Sequence, residues 1–257
     1  MVIGIKQHPA NTHKAELEVI RIIDKGTEVR MLFQKGQKSM TYEEIKKNTD
    51  VNIYIKAADE CLQALGFTEH SYAHVTTVAE KTGYILQTLG YDERMVELGK
   101  IAGYLHDIGN LINRDDHSQS GAMMAFRILD HLGFPAEETT MIVSAIGNHD
   151  EGTGVPVSPL AAALILADKS DVRRNRVRNT EITSFDIHDR VNYSVTKAEL
   201  KINSAHTIIK LKLQVDTHFS SVMEYFEIFM GRMILCRKAA EKLGLQFKLM
   251  INENQLL

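Results

Sequence analysis

Hydrophobic residues recur at helical spacing through the middle of the chain. Between Val75 and Leu105, apolar side chains return every three or four positions, with a break after Gly90 that is typical of a helix end. Similar segments follow after short connections, at about residues 117–132, 136–149 and 159–176. The pattern therefore predicts one helical domain over residues 41–195.

The period changes to two near the C-terminus, which is typical of strands with one buried face. Apolar and polar residues alternate over residues 198–202, 209–215 and 246–251, and a helical pattern fills residues 220–243. Residues 196–257 are therefore predicted to form a small β-β-α-β unit beside a helical bundle, so the fold class is mainly α.

The first 40 residues are interpreted as an N-terminal extension. Within it, residues 15–23 are expected to form a short helix, and residues 25–39 contain glycine and lysine residues spaced as in turns around a short strand. Neither segment contains a recognisable chemical motif.

Composition excludes several classes of protein. Hydrophobic residues make up 44% and charged residues 25% of the 257 positions, as in an ordinary soluble domain, which rules out wholesale disorder. A net charge of −3 argues against a dedicated nucleic-acid binder. The longest apolar run, residues 160–167, is far shorter than the roughly 18 residues of a membrane span. Cys61 and Cys236 do not make a disulfide framework, so a cytoplasmic protein is expected.

Histidine is the composition feature that this class does not explain, because six of the 11 histidines fall between His70 and His149. His106 and Asp107 are adjacent at the end of an apolar helical segment. Two such groups are costly to bury without partners. A metal ion would satisfy both, since imidazole nitrogen and carboxylate oxygen are standard ligands for zinc, iron and manganese.

Other polar residues occupy similar places at the margins of apolar helices, namely His74, His117, His149 and Asp168. In a helical bundle these positions could converge on one metal site. Taken singly, each histidine also fits a helix cap or a solvated surface residue, and Asp168 fits a core carboxylate paired with an arginine.

The order H…HD…H…H…D, with its doublet in LHDIGN, resembles the HD superfamily of metal-dependent phosphohydrolases over about residues 70–175. HVTTVAEKTG fits the first ligand at His74, in preference to His70, and HSQSGA, SAIGNHDE and LILADKSD match later segments of the family. The resemblance implies that His74, His106, Asp107 and Asp168 hold one divalent metal. Asp107 would bridge to a second metal held by His117 and His149, with the doublet His106 and Asp107 central to catalysis.

The HD-GYP branch is a more distant likeness. That branch reads HHExxDGxGYP, whereas this chain reads HDEGTGVP from His149 to Pro156, with Asp150 in place of the second histidine. Asn110 stands where a lysine often follows the doublet. A cyclic dinucleotide substrate is therefore not expected. Asp150 is interpreted as a residue that orients a ligand, and direct metal binding by its carboxylate is the alternative.

Two divalent transition metals, whether iron, manganese or zinc, suit hydrolysis of a nucleotide or another small phosphoester by a metal-activated water. The substrate phosphate needs further positive charge, for which Lys169 and Arg173 are the candidates; they would share a helical face with Arg176. Arg176 and Arg178 are interpreted as solvated residues at a basic helix end.

Two alternatives stay open from the sequence. Some members of the superfamily use the same ligand order in a mixed-valent di-iron oxygenase, and others are non-catalytic regulatory domains.

Two further groups of residues have no assigned chemistry. The cluster Asp186, His188, Asp189 and Arg190 fits a helix cap with surface charges or a substrate contact, and the three methionines Met223, Met230 and Met233 fit a core or a homodimer face.

Overall fold

The computed structural model describes residues 17–24, 27–34 and 40–256. Residues 1–39 and 40–257 form two separate units. In the first unit, strand β1 (Leu17–Asp24) pairs antiparallel with β2 (Thr27–Gln34). The helix predicted for residues 15–23 is therefore wrong from Leu17 onward, and residues 15 and 16 lie outside the described residues. β-Branched residues such as Val19, Ile20 and Ile22 favour the extended backbone.

The second unit is built mainly of helices, which confirms the predicted fold class. In chain order the helices before the C-terminal sheet are α1 (Tyr42–Lys46), α2 (Thr49–Ala64), α3 (Tyr72–Thr88), α4 (Glu93–Leu105), α5 (His117–His131), α6 (Ala136–Gly147), α7 (Pro159–Lys169) and α8 (Ile187–Ser194). Short polar caps begin most of them; the side chains of Asp92 and Ser158, for example, accept hydrogen bonds from backbone N–H groups in the first turns of α4 and α7.

Helix α7 runs through the centre of the bundle. Every residue from Leu160 to Ala167 is buried, because α7 packs against α3, α4, α6 and the C-terminal helix. An apolar sequence on all sides is what such a position requires. The helix ends at Lys169, earlier than the predicted residue 176, and residues Arg174–Arg176 form a separate 3₁₀ turn. The residues after Lys169 therefore do not continue its helical face.

The C-terminal residues form a four-stranded sheet with one helix packed on it. Its elements are β3 (Val195–Ile202), β4 (Ile208–Val215), α9 (Val222–Lys242), β5 (Gln246–Ile251) and β6 (Asn254–Gln255), and the strands lie in the order β3-β4-β5-β6. β4 and β5 are parallel and the other two pairs antiparallel. The predicted β-β-α-β order is confirmed, with one short strand added at the end.

Helix α9 connects this sheet to the helical bundle, because it contacts both β5 and α7. Met233 of α9 is buried in the core, whereas Met223 and Met230 are exposed. Among the helices of residues 40–256, none has both the length and the apolar run that crossing a bilayer requires.

Candidate metal centre

Five helices bring polar side chains to one place in the bundle. His74 lies in the first turn of α3, His117 is the first residue of α5, and Asp168 lies in the last turn of α7. His106 and Asp107 follow α4 directly, and His149 comes shortly after the end of α6. These are the six positions that the sequence order singles out, and the fold gathers all of them into one buried cluster.

One oxygen of Asp107 faces two of the histidines. Asp107 Oδ2 lies 3.4 Å from His74 Nε2 and 3.2 Å from His106 Nε2. Asp168 Oδ1 completes this group, 3.4 Å from His74 Nε2 and 3.7 Å from His106 Nε2. Two ligand atoms bound to one transition-metal ion lie about 3.0–3.4 Å apart, since each sits about 2.1 Å from the ion. The separations are close to those of a metal-binding group.

The other oxygen of Asp107 faces the remaining two histidines. Asp107 Oδ1 lies 3.6 Å from His117 Nε2 and 3.9 Å from His149 Nε2, and these two nitrogens are 3.3 Å apart. Asp107 thus belongs to both groups, with one oxygen directed to each.

The hydrogen bonds around the cluster orient the histidines. The Nδ1–H groups of His106, His117 and His149 donate to the backbone carbonyl three residues earlier in the chain, at 2.7, 3.0 and 2.7 Å. A carbonyl can only accept, so Nδ1 is the donor in each case and each Nε2 is directed at the cluster.

His74 is oriented by a different residue, which sequence reasoning missed. Its Nδ1–H donates to Asp171 Oδ2 at 2.8 Å. Asp171 is buried and also contacts Lys81 and Arg176. Its position three residues after Asp168, in LADKSD, is the one sequence signal that could have found it.

The cluster passes a direct test of fit to a metal ion. The Nε2 atoms of His74 and His106 are buried and have no hydrogen-bond partner among the described residues. Leaving such an atom without a partner is costly, and a bound cation removes the cost. The described residues contain two sets of three ligand atoms close enough to share an ion, one with Asp168 and one with Asp107.

The pKa shifts of the clustered residues also indicate a site that favours a cation. Burial would raise the pKa of Asp107, but the positive charge of His106 and the nearby imidazole of His74 hold it well below its usual range. Burial lowers the pKa of His106, yet Asp107 and Asp168 outweigh it and raise that pKa to about 10. The two carboxylates therefore favour a positive charge at the centre of the cluster.

Known proteins of similar sequence contain this segment. The family model of the HD domain matches residues 71–173. This segment is an HD domain. An uncharacterized protein of Methanocaldococcus jannaschii is 28% identical over 191 residues, which covers 65% of this chain and 73% of that protein. A crystal structure of a predicted HD superfamily hydrolase from an uncultured Thermotogales bacterium is 23% identical, with a TM-score of 0.40, over 52% of this chain and 75% of that one.

A small cavity of about 70 Å³ opens beside the candidate ligands of the HD domain. Its walls include the candidate ligands Asp107, His117 and Asp168 and four cationic residues, Arg114, Lys169, Arg176 and Arg232. Residues beyond the HD domain complete the walls, namely His188 and Asn192 of α8 and Phe229 and Arg232 of α9. The C-terminal elements therefore line the same cavity as the candidate metal ligands.

Lys169, a predicted substrate-binding residue, lies beside the cluster. Its Nζ lies 2.9 Å from Asp168 Oδ2 and 3.7 Å from Asp150 Oδ1, and the side chain is almost fully buried. Arg173, the other predicted substrate-binding residue, does not lie at the cavity. Because α7 ends at Lys169, Arg173 lies in extended backbone, where it contacts Asp171 and Glu69 and does not line the cavity.

Arg176, interpreted from sequence as solvated, is instead buried in the cavity wall. It donates hydrogen bonds to the carbonyl oxygens of Glu69 and Asp171, at 2.8 and 2.7 Å. Arg178 does lie away from the cavity, in an ion pair with Asp59. Sequence reasoning also missed Arg232, which no local motif distinguishes.

The remaining candidates have clear positions. His70 lines the cavity, and its ring centroid is 5.3 Å from that of His74. Asp150 Oδ1 lies 3.8 Å from His117 Nε2, beside the ligands. Asn110 donates to Asp107 Oδ1 at 3.1 Å. Asp186 caps α8, as one of the two interpretations of its cluster held, while His188 of the same cluster reaches the cavity.

Proposed function

We propose that this protein is a metal-dependent phosphohydrolase that cleaves a nucleotide or another small phosphoester at a dinuclear site. The observation that carries the proposal is the position of Asp107, whose two oxygens face two separate groups of histidines. A carboxylate in this position can bridge two ions. His74, His106, Asp107 and Asp168 would hold one metal, and Asp107, His117 and His149 the other.

Metal ions at these positions would supply Lewis-acid chemistry, since a bound divalent metal lowers the pKa of a water and stabilises negative charge on phosphoryl oxygens. The residues of the chain then have two tasks. The backbone carbonyls and Asp171 hold the histidine rings in the ligating orientation. Lys169, Arg176, Arg232 and Arg114 place positive charge around the cavity, where it attracts and orients a phosphate.

The test is a hydrolysis assay of purified full-length protein loaded with Mn²⁺ or Fe²⁺, on a panel of nucleotides and nitrophenyl phosphoesters, with oxygen uptake recorded in parallel. We expect metal-dependent hydrolysis, and losses of more than about 100-fold in the variants His106→Ala and Asp107→Ala, because each removes a ligand.

His131→Ala is the matched control, since His131 is an exposed histidine at the end of α5, away from the cluster. It should keep full activity. Unchanged hydrolysis in both ligand variants would refute the assignment, and substrate-dependent oxygen uptake without hydrolysis would replace it with the oxygenase.

A further inference from the structure

Glu151 pairs with two cations, Lys169 and Arg232, that line the cavity. Its carboxylate contacts Lys169 Nζ and lies 3.2 Å from the guanidinium Nη2 of Arg232. Lys169 ends α7 and Arg232 lies in α9, so the two cations come from the HD domain and from the C-terminal unit. Glu151 itself lies in the turn that follows the metal-ligand candidate His149.

These two cations lie directly beside the cluster of candidate metal ligands. Lys169 Nζ is 2.9 Å from the second oxygen of Asp168, the carboxylate whose other oxygen faces His74 and His106. Arg232 stacks on the ring of Phe229, with its guanidinium carbon 4.0 Å from the ring centroid, so its position is set by packing. A group bound between these cations would lie next to the candidate metal ligands.

The bonding of Arg232 is incomplete among the described residues. Its Nε is buried there and has no hydrogen-bond partner, although the guanidinium offers a fork of donors that suits a planar or tetrahedral oxyanion. Glu151 engages one side of that fork. A phosphate, with more oxygens than a carboxylate, could use both this free donor and the ammonium of Lys169.

The walls of the cavity limit the shape of what enters it. Its volume is about 70 Å³, so little space is left for bulky substituents beside the candidate metal ligands. α8 and α9 line part of it with His188, Asn192 and Phe229. A phosphate carrying one substituent can enter such a space with the substituent toward solvent, whereas a diester must accommodate substituents on two oxygens.

We propose, resting on the function proposed above, that Lys169 and Arg232 form the subsite for the phosphate of a phosphomonoester, and that Glu151 occupies this subsite until substrate displaces it. The C-terminal unit thus supplies a substrate-binding residue to the HD domain. Glu151 acts as an internal competitor, because its carboxylate neutralises the same two cations that the phosphate needs.

The experiment measures the affinity of metal-loaded, full-length protein for inorganic phosphate by calorimetry, together with metal content and thermal stability. Arg232→Met should weaken phosphate binding by about tenfold or more, since it removes a charge-assisted contact. Glu151→Gln should tighten it by several-fold, since it removes the competing charge while preserving shape. Arg232→Lys should fall between wild type and Arg232→Met.

Arg237→Met is the matched control, because Arg237 is an exposed arginine on the same helix whose Nε lies 3.9 Å from Glu241. Its phosphate affinity should equal that of the wild type. If the three residues merely tie α9 to α7, both Arg232→Met and Glu151→Gln will lower thermal stability and neither will change phosphate affinity, which would overturn the proposal. Weaker binding in Glu151→Gln would overturn the competitor role.

Kinetics separate this proposal from the one on which it rests. With p-nitrophenyl phosphate, Arg232→Met should raise KM more than it lowers kcat, and wild type should prefer this monoester to bis(p-nitrophenyl) phosphate. A preference for the diester would overturn the assignment of substrate class. If wild type hydrolyses no phosphoester and yet the opposite effects of the two variants on phosphate binding are observed, the subsite stands and the hydrolase does not.

Discussion

At the scale of single residues, the candidate centre depends on how one carboxylate and four imidazoles are held. Asp107 directs an oxygen to each histidine pair, and three of the histidines are aligned by the backbone carbonyl three residues earlier in the chain. His74 lies at the start of its helix and takes its partner from elsewhere, Asp171. This makes Asp171 the residue whose loss should disturb one ligand without removing it.

Asp171→Asn is expected to lower metal affinity by about 10- to 100-fold, as is usual when the partner of a ligating histidine is changed. Asparagine keeps the size of the side chain but loses the charge that favours the Nδ1–H donor. Titration with Co²⁺ or Mn²⁺ against a competing chelator measures the affinity. Asp115→Asn, at an exposed position, is the control. Equal affinity in the two variants would mean that Asp171 does not support the ligand.

At the scale of elements, the centre requires that helices α3 and α4 approach closely, because they supply His74, His106 and Asp107. Gly103 of α4 lies against the backbone of α3: a Cβ at this glycine would be 2.7 Å from the Cα of Ala79. Contact between two backbones leaves no flexible side chain to move aside. Helices α3 and α4 can therefore pack this closely only because residue 103 has no side chain, and this packing sets the positions of the candidate ligands.

Gly103→Ala is expected to lower the free energy of unfolding by about 1–3 kcal/mol, the usual cost of overpacking. Gly231→Ala offers a matched comparison, since a Cβ at Gly231 in α9 meets nothing within 4 Å. That change should raise the free energy of unfolding by about 0.5–1 kcal/mol, because alanine favours the helix more than glycine does. Urea denaturation of both variants tests the prediction; equal effects would refute it.

At the scale of the whole molecule, the cluster joins the ends of several helices, and the cavity also includes residues from the C-terminal unit. Buried carboxylates without a cation oppose this assembly. Metal binding should therefore stabilise the entire described unit from residue 40 onward. The predicted homodimer through the C-terminal unit stays a prediction.

Chelation is expected to lower the Tm of the native protein. A ligand at 100 times its Kd stabilises a fold by about 2.7 kcal/mol, which corresponds to roughly 5–10 °C for a domain of this size. Calorimetry before and after dialysis against EDTA measures the shift, and Mn²⁺ should restore it. The variant Asp107→Asn should respond much less to either treatment. A Tm unaffected by chelation and reloading would contradict a stabilising metal centre.

Much of the fold followed from local patterns. The helical periods and the change to period two near residue 196 predicted the bundle and the C-terminal sheet because burial of one face imposes those periods. Two predictions are wrong where the local sequence does not distinguish clearly between a helix and another backbone conformation. Residues 17–24 form a strand where a helix was predicted, and α7 stops at Lys169.

The sequence by itself determined the ligand candidates, because His74, His106, Asp107, His117, His149 and Asp168 are polar residues at the margins of apolar helices and follow one recognisable order. Only the tertiary structure decided which cations accompany them. Arg173 is adjacent in sequence but turns away, while Arg176 and Arg232 enter the cavity. The reason is physical: periodicity reports which face of a helix is buried, but a charge brought by a distant helix depends on how whole elements pack.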